Sequence, residues 1–213
     1  MTTVAIVDYG VGNLLSLRRA LEHCAATVTL AADADAIAAA DRIVLPGVGA
    51  FGHAAGELRR RGLDQALLAW VARERPLLGI CVGMQMLMDH SEEFGRHDGL
   101  GLIPGAVVPV PATGADGTPH PIPHICWNGL LPPPGRAAWP AGLLDGIAPG
   151  DAVYFVHSFM AAPVAAADVM AIADYDGQAV TAAIGRGNVA GCQFHPEKSG
   201  DVGLKILRRF LAL

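Results

Sequence analysis

Short apolar runs alternate with amphipathic stretches through the first half of the chain. Residues 4–7 (Val4-Ala5-Ile6-Val7) form a β-branched run, and Leu14, Leu17, Ala20 and Leu21 then recur at helical spacing. Residues 27–30 read as a second strand, 34–40 as a short alanine-rich helix, and 42–45 as a third strand stopped by Pro46-Gly47. Residues 58–72 are predicted helical, broken near Gly62. Leu77-Leu78-Gly79-Ile80 is apolar enough for a buried strand, and it turns at Cys81 into helix formers that run to Leu87. This alternation predicts an α/β fold: a doubly wound, mostly parallel, flavodoxin-like sheet with helices on both faces. Ligands then belong at the carboxyl ends of the strands, where the turns after Tyr9, Leu45 and Ile80 fall.

The second half changes character. Residues 104–140 are rich in proline and glycine, with an ordered edge segment at 122–128. Residues 152–157, 169–173 and 180–184 read as antiparallel strands, 189–194 as a further strand, and 202–213 as a closing amphipathic helix. No internal repeat or linker divides the chain, so residues 1–213 are expected to form one domain.

Composition narrows the class. The chain is 52% hydrophobic, yet its longest apolar candidate, residues 161–173, carries Asp168 and is too short to span a bilayer. The start has no basic segment of the signal-peptide kind. A net charge of −5 without basic runs leaves no nucleic-acid footprint. Cys24, Cys81, Cys126 and Cys192 are far apart, which suggests neither a zinc site nor a disulfide framework and points to the cytoplasm.

One of these cysteines carries the chemistry. Cys81 sits in a G-x-C-x-G frame between a strand and a helix, the arrangement of a nucleophile elbow. A helix N-terminus there favours the thiolate, the attacking form. A cysteine nucleophile needs a base and a group to orient it. His195 and Glu197, two apart around Pro196, project to one side in extended backbone and are the first choice. His157 is the rival base, without a carboxylate at like spacing. An oxyanion needs backbone donors, which Val82 and the Val48-Gly49 segment could supply. Gly47-x-Gly49-x-x-Gly52 also matches a dinucleotide fingerprint, a weak signal in a chain with 26 glycines and no acidic residue clearly ending the next strand.

Five stretches complete the picture: Asp8-Tyr9-Gly10-Val11-Gly12-Asn13-Leu14, Leu45-Pro46-Gly47-Val48-Gly49-Ala50-Phe51-Gly52, Gly79-Ile80-Cys81-Val82-Gly83-Met84-Gln85, Tyr154-Phe155-Val156-His157-Ser158-Phe159 and Gln193-Phe194-His195-Pro196-Glu197-Lys198-Ser199-Gly200. In this order they give the chain a full-length resemblance to the class I, triad-type glutamine amidotransferases. Within that class it is most similar to the glutaminase subunits that pass ammonia to a separate (β/α)8-barrel cyclase subunit of the same synthase, in histidine biosynthesis. The resemblance implies a glutamyl thioester on Cys81, with glutamine held by Gln85, Glu93, Tyr154, Ser158 and Phe159. It places Asn13 and Trp127 at the cyclase interface, where Lys198 follows Glu197 directly, and it implies no metal or organic cofactor. Two positions depart from the pattern: Val82 replaces a usual leucine, and Cys126 a usual glycine. The rivals are a glutaminase serving pyridoxal phosphate or anthranilate synthesis, and a silent scaffold subunit. The 47–52 segment and the 154–157 block argue against the first, and the intact Cys81, His195 and Glu197 against the second.

Overall fold

A computed structural model describes residues 2–213. Strand β1 (Thr3–Val7), helix α1 (Leu14–His23), β2 (Thr27–Ala31), α2 (Ala34–Ala39) and β3 (Arg42–Leu45) follow in order. Helices α3 (Phe51–Arg60) and α4 (Leu63–Val71) lead to β4 (Leu77–Ile80) and the single turn α5 (Val82–Gln85). Then come β5 (Met88–Ser91), β6 (His97–Asp98), β7 (Ile103–Pro109), β8 (His124–Leu131), β9 (Ala152–His157), β10 (Phe159–Pro163), β11 (Val169–Tyr175), β12 (Gln178–Arg186) and β13 (Val189–Cys192). A 3-10 turn at Pro196–Lys198 and helix α6 (Gly200–Ala212) close the chain. Among the described residues no helix is long and apolar enough to cross a membrane.

Nine strands form one sheet in the order β2-β1-β3-β4-β13-β12-β11-β8-β9. Neighbours from β2 to β13 are parallel, and those from β13 to β9 antiparallel, which matches the expected division between the two halves. β1, β3 and β4 are buried along nearly their whole length because helices cover both faces. β4 and β13 position the site. They run parallel with Ile80 opposite Cys192, and the Cys81 N–H donates to the Cys192 carbonyl at 2.8 Å. One strand pair therefore delivers the segments after residues 80 and 192 side by side at the carboxyl edge.

Several expectations need correction. A second sheet, β10-β7-β5-β6, packs in the region read as a proline- and glycine-rich loop. Pro104, Gly105 and Pro109 disguise β7, yet Gly105 is required there, since a Cβ would collide with the Ala162 carbonyl of β10. The helix formers after Cys81 give only one turn. The Met86 and Leu87 carbonyls accept instead from Leu100, Leu102 and Ile103, which draws the chain into the second sheet. α3 starts at Phe51 rather than near residue 58, because Gly52 and Gly56 lower the helical signal of its first half. Gly52 faces the His97 ring, where a Cβ would sit 2.8 Å away. β9 ends the strand order, yet residues 124–129 of β8 pair with β9 alone and have an open edge on the other side. Only Leu130 and Leu131 of β8 pair with β11, so Ile125 and Trp127 still stand 54% and 56% exposed.

Candidate active site

Cys81 has φ 55° and ψ −115°, a conformation that costs energy for any residue with a Cβ. It is held there because the surrounding backbones approach closely. A Cβ on Gly83 would collide with the Leu45 carbonyl, one on Gly79 would lie 2.7 Å from the Gly83 oxygen, and one on Gly47 2.6 Å from the Gly83 nitrogen. The buried Tyr9 hydroxyl donates to the Pro46 carbonyl at 2.6 Å and pins the end of β3 onto the elbow. α5 is too short for a strong macrodipole, so the nearby backbone donors and side chains, not a long helix, set the environment of the sulfur.

Cys81 and His195 are each 4% exposed. His195 Nδ1 lies 2.8 Å from Glu197 Oε1, and the imidazole faces the same cavity as Cys81. Glu197 reaches its partner by a route other than the one expected: Pro196–Lys198 is a 3-10 turn, not extended backbone. The His195 backbone is clamped as well. Its N–H donates to the Tyr154 carbonyl at 3.0 Å, and its carbonyl accepts from Ser199 Oγ at 2.6 Å. Burial alone would lower the His195 pKa. The hydrogen bonds and charges of Cys81 and Glu197 outweigh it and raise the value to about 9, so the imidazole stays protonated beside the sulfur at neutral pH.

A cavity of about 250 Å³ opens onto the sulfur. Val48, Gly49, Val82, Gln85 and Glu93 line one part of it, and Ser158, Phe159, His157 and His195 another. Tyr154 is not in its wall: its backbone holds His195, and its ring lies 6.1 Å from that of Trp127. Glu93 Oε2 accepts from the Phe51 N–H at 2.6 Å, so a carboxylate caps α3. That contact, with Gly47 packed against Gly83, removes the dinucleotide reading: the helix terminus and the glycine gap a pyrophosphate needs are both filled. Asn13, which caps α1 through its side chain, and Lys198 both lie at the surface.

His157 has no nitrogen left to serve as base. Its Nδ1 bonds the Phe159 carbonyl and its Nε2 meets His124 Nδ1, both at 2.9 Å. The tautomers follow from the acceptor end: a carbonyl accepts, so His157 carries its proton on Nδ1, and its Nε2 accepts a hydrogen bond from the His124 Nδ1–H. His124 Nε2 then accepts from the Cys126 thiol at 3.2 Å, which gives the unusual cysteine a donor role that glycine could not fill. Burial holds the His157 pKa down at about 4 and that of His124 below its ordinary value. The unfolded chain therefore takes up protons the folded chain refuses as pH falls from about 6.5 towards 4. Stability is expected to drop over that window by about 3 kcal/mol for His157, with His124 adding in the same direction. Urea unfolding at stepped pH checks this, and His157→Gln should flatten the acid limb.

Sequence reasoning missed Gln193. It is fully buried, its Nε2 lies 3.7 Å from Cys81 Sγ, and its Oε1 accepts from Gln85 Nε2 at 3.1 Å. The available signal was its position two residues before His195.

The elbow cysteine, the imidazole–carboxylate pair and the cavity lie together at the carboxyl edge of the doubly wound sheet, the arrangement that cysteine-dependent acyl transfer requires. The chain belongs to the family Glutamine amidotransferase class-I, which matches residues 5–213. Within that family it groups with the HisH subunits of imidazole glycerol phosphate synthase. HisH 1 of Legionella pneumophila (strain Lens) is 48% identical over 213 residues, covering 100% of both chains. HisH of Geobacillus thermodenitrificans is 44% identical over 100% of this chain and 97% of its own. Among solved structures, PurLQS from Thermotoga maritima aligns with TM-score 0.72 at 20% identity, over 100% of this chain and 99% of that one, a likeness of fold.

Proposed function

We propose that Cys81, His195 and Glu197 hydrolyse glutamine to glutamate and ammonia, as the glutaminase half of an imidazole glycerol phosphate synthase in histidine biosynthesis. The observation that carries this reading is the buried Cys81–His195–Glu197 line opening on a cavity of about 250 Å³. Cys81 Sγ attacks the carboxamide carbon, and the negative oxygen takes donors from Val82 and the Val48-Gly49 segment. His195 gives its proton to the departing nitrogen, which leaves as ammonia and a glutamyl thioester behind. His195, now neutral, takes a proton from water, which attacks the thioester and frees glutamate and the thiolate. Glu197 holds the imidazole orientation and balances its charge throughout. Gln85, Glu93, Ser158 and Phe159 give the glutamine its polar surroundings, and Tyr154 serves through His195.

The ammonia passes to a (β/α)8-barrel cyclase subunit. Exposed Trp127 and Ile125, with Asn13 and Lys198, suit a partner face beside the site. A biosynthetic role with four free cysteines fits the cytoplasm. The test is covalent: a glutamine-like diazo-ketone should label Cys81 alone. Labelling at Cys24, Cys126 or Cys192 with Cys81 untouched would overturn the assignment.

A further inference from the structure

Two glutamine side chains meet behind the nucleophile, and their order has a direction. Gln85 Nε2 donates to the Phe159 carbonyl at 2.9 Å and to Gln193 Oε1 at 3.1 Å, and Gln193 Nε2 reaches Cys81 Sγ at 3.7 Å. The Phe159 end fixes this order. A carbonyl oxygen only accepts, so it demands the nitrogen of Gln85. That nitrogen demands the oxygen of Gln193, which leaves the Gln193 nitrogen for the sulfur. Flipping either amide would set oxygen against oxygen or nitrogen against nitrogen in a buried place. Phe159 cannot drift to relieve that, because it is paired with Pro109 in the second sheet and its carbonyl also takes His157 Nδ1.

We infer that Gln193 is a further catalytic residue, whose amide N–H holds the Cys81 thiolate, and that Gln85 is the positioning residue that keeps this N–H aimed. The inference rests on Cys81 as nucleophile and deepens that reading. A bond from N–H to a charged sulfur is stronger than one to a thiol, so the donor favours the attacking form. When the sulfur adds to the carboxamide carbon it becomes neutral and the bond weakens. When water breaks the thioester, the C–S electron pair returns to sulfur and the same N–H receives the charge. The donor therefore assists the leaving step as well as filling the resting state.

The other titratable groups coupled to Cys81 are His195, Tyr9 and Cys192, with Glu197 behind His195. Burial pushes the Tyr9 hydroxyl and the Cys192 thiol up, so both stay neutral around pH 7. A change in Cys81 reactivity on altering Gln193 would then come from the lost amide, with His195 as the remaining charged partner.

The experiment follows iodoacetamide alkylation of the Cys81 peptide against pH by mass spectrometry. Gln193→Met keeps the volume and removes the donor. Its alkylation at pH 7 should be roughly tenfold to a hundredfold slower, with the midpoint moved to higher pH. In the complex with the cyclase, kcat should fall over the same range while KM for glutamine stays within about twofold. Gln85→Met should move the midpoint in the same direction and raise KM as well. A residue that only packs would lower the melting temperature and leave the midpoint in place, and that result overturns the inference. Should the variants fail to fold, the Gln193 side-chain amide resonance of the unaltered protein decides. It should shift on alkylation of Cys81, and a resonance that does not move overturns the inference. A Cys81→Ala chain that stays active refutes the nucleophile itself. An inactive one beside an unshifted Gln193→Met refutes only the role of Gln193.

Discussion

Cys81→Ala, assayed together with the proposed cyclase partner, should abolish glutamine hydrolysis, a loss on the order of a million-fold in kcat. In the proposed mechanism the sulfur carries the glutamyl group, and the cavity opens directly onto it. His195→Asn should cost nearly as much, because no other group can move the proton. Glu197→Gln should cost less, since an amide oxygen can still accept from Nδ1 and keep the ring oriented. His157→Asn should stay within roughly tenfold, because it disturbs the hydrogen bonds to the Phe159 carbonyl and His124 but removes no proton carrier. Glutamate release, with cyclase turnover on added ammonium salt as the control for assembly, separates these outcomes. A crippled His157→Asn beside a near-normal His195→Asn would reverse the choice of base.

The parallel half of the sheet was legible because strands covered on both faces must be apolar, as in residues 4–7, 42–45 and 77–80. The elbow was legible from its glycines, and the structure supplies their reason, the close approach of the Leu45 and Gly83 backbones. Gln193 was not legible. It falls within the strand read at 189–194, and nothing local tells that its amide is buried against Cys81, at an elbow more than a hundred residues away in the chain. The second sheet hid behind the prolines of β7, which stand at the second and last positions of the strand and leave its middle free to pair. The spacing of His195 and Glu197 pointed to the right pair through the wrong backbone: the 3-10 turn, not an extended run, closes their contact. Tyr154 was expected among the groups that hold glutamine, and in the structure its backbone carbonyl holds the His195 N–H instead of facing the cavity.

The isolated chain should be a nearly idle glutaminase, and docking of the cyclase with its ligand should raise glutamine turnover roughly a hundredfold to a thousandfold. That is the range expected when one oxyanion donor is absent in one state and present in the other. The geometry says where such a switch can sit. Gly47 is wedged against the Gly83 nitrogen and cannot move without breaking the elbow, so it is an anchor rather than a hinge. Gly49 has φ +81° with open space around its Cβ position, and Val48 beside it is exposed at the cavity mouth. Rotating the Val48-Gly49 peptide is therefore cheap, because glycine accepts either sign of φ. A partner that contacts the rim differently in the two states would shift the population towards the assembled site. Lys198 follows Glu197 in the same turn and stands at the surface, so one short segment carries both chemistry and an outward charge. Lys198→Ala should weaken the stimulation while ammonium-supported cyclase turnover stays nearly unchanged. Gly49→Ala, strained at positive φ, should change the ratio of stimulated to basal activity more than it changes the melting temperature. Full activity in the isolated chain, indifferent to the cyclase and to Lys198→Ala, would refute the coupling.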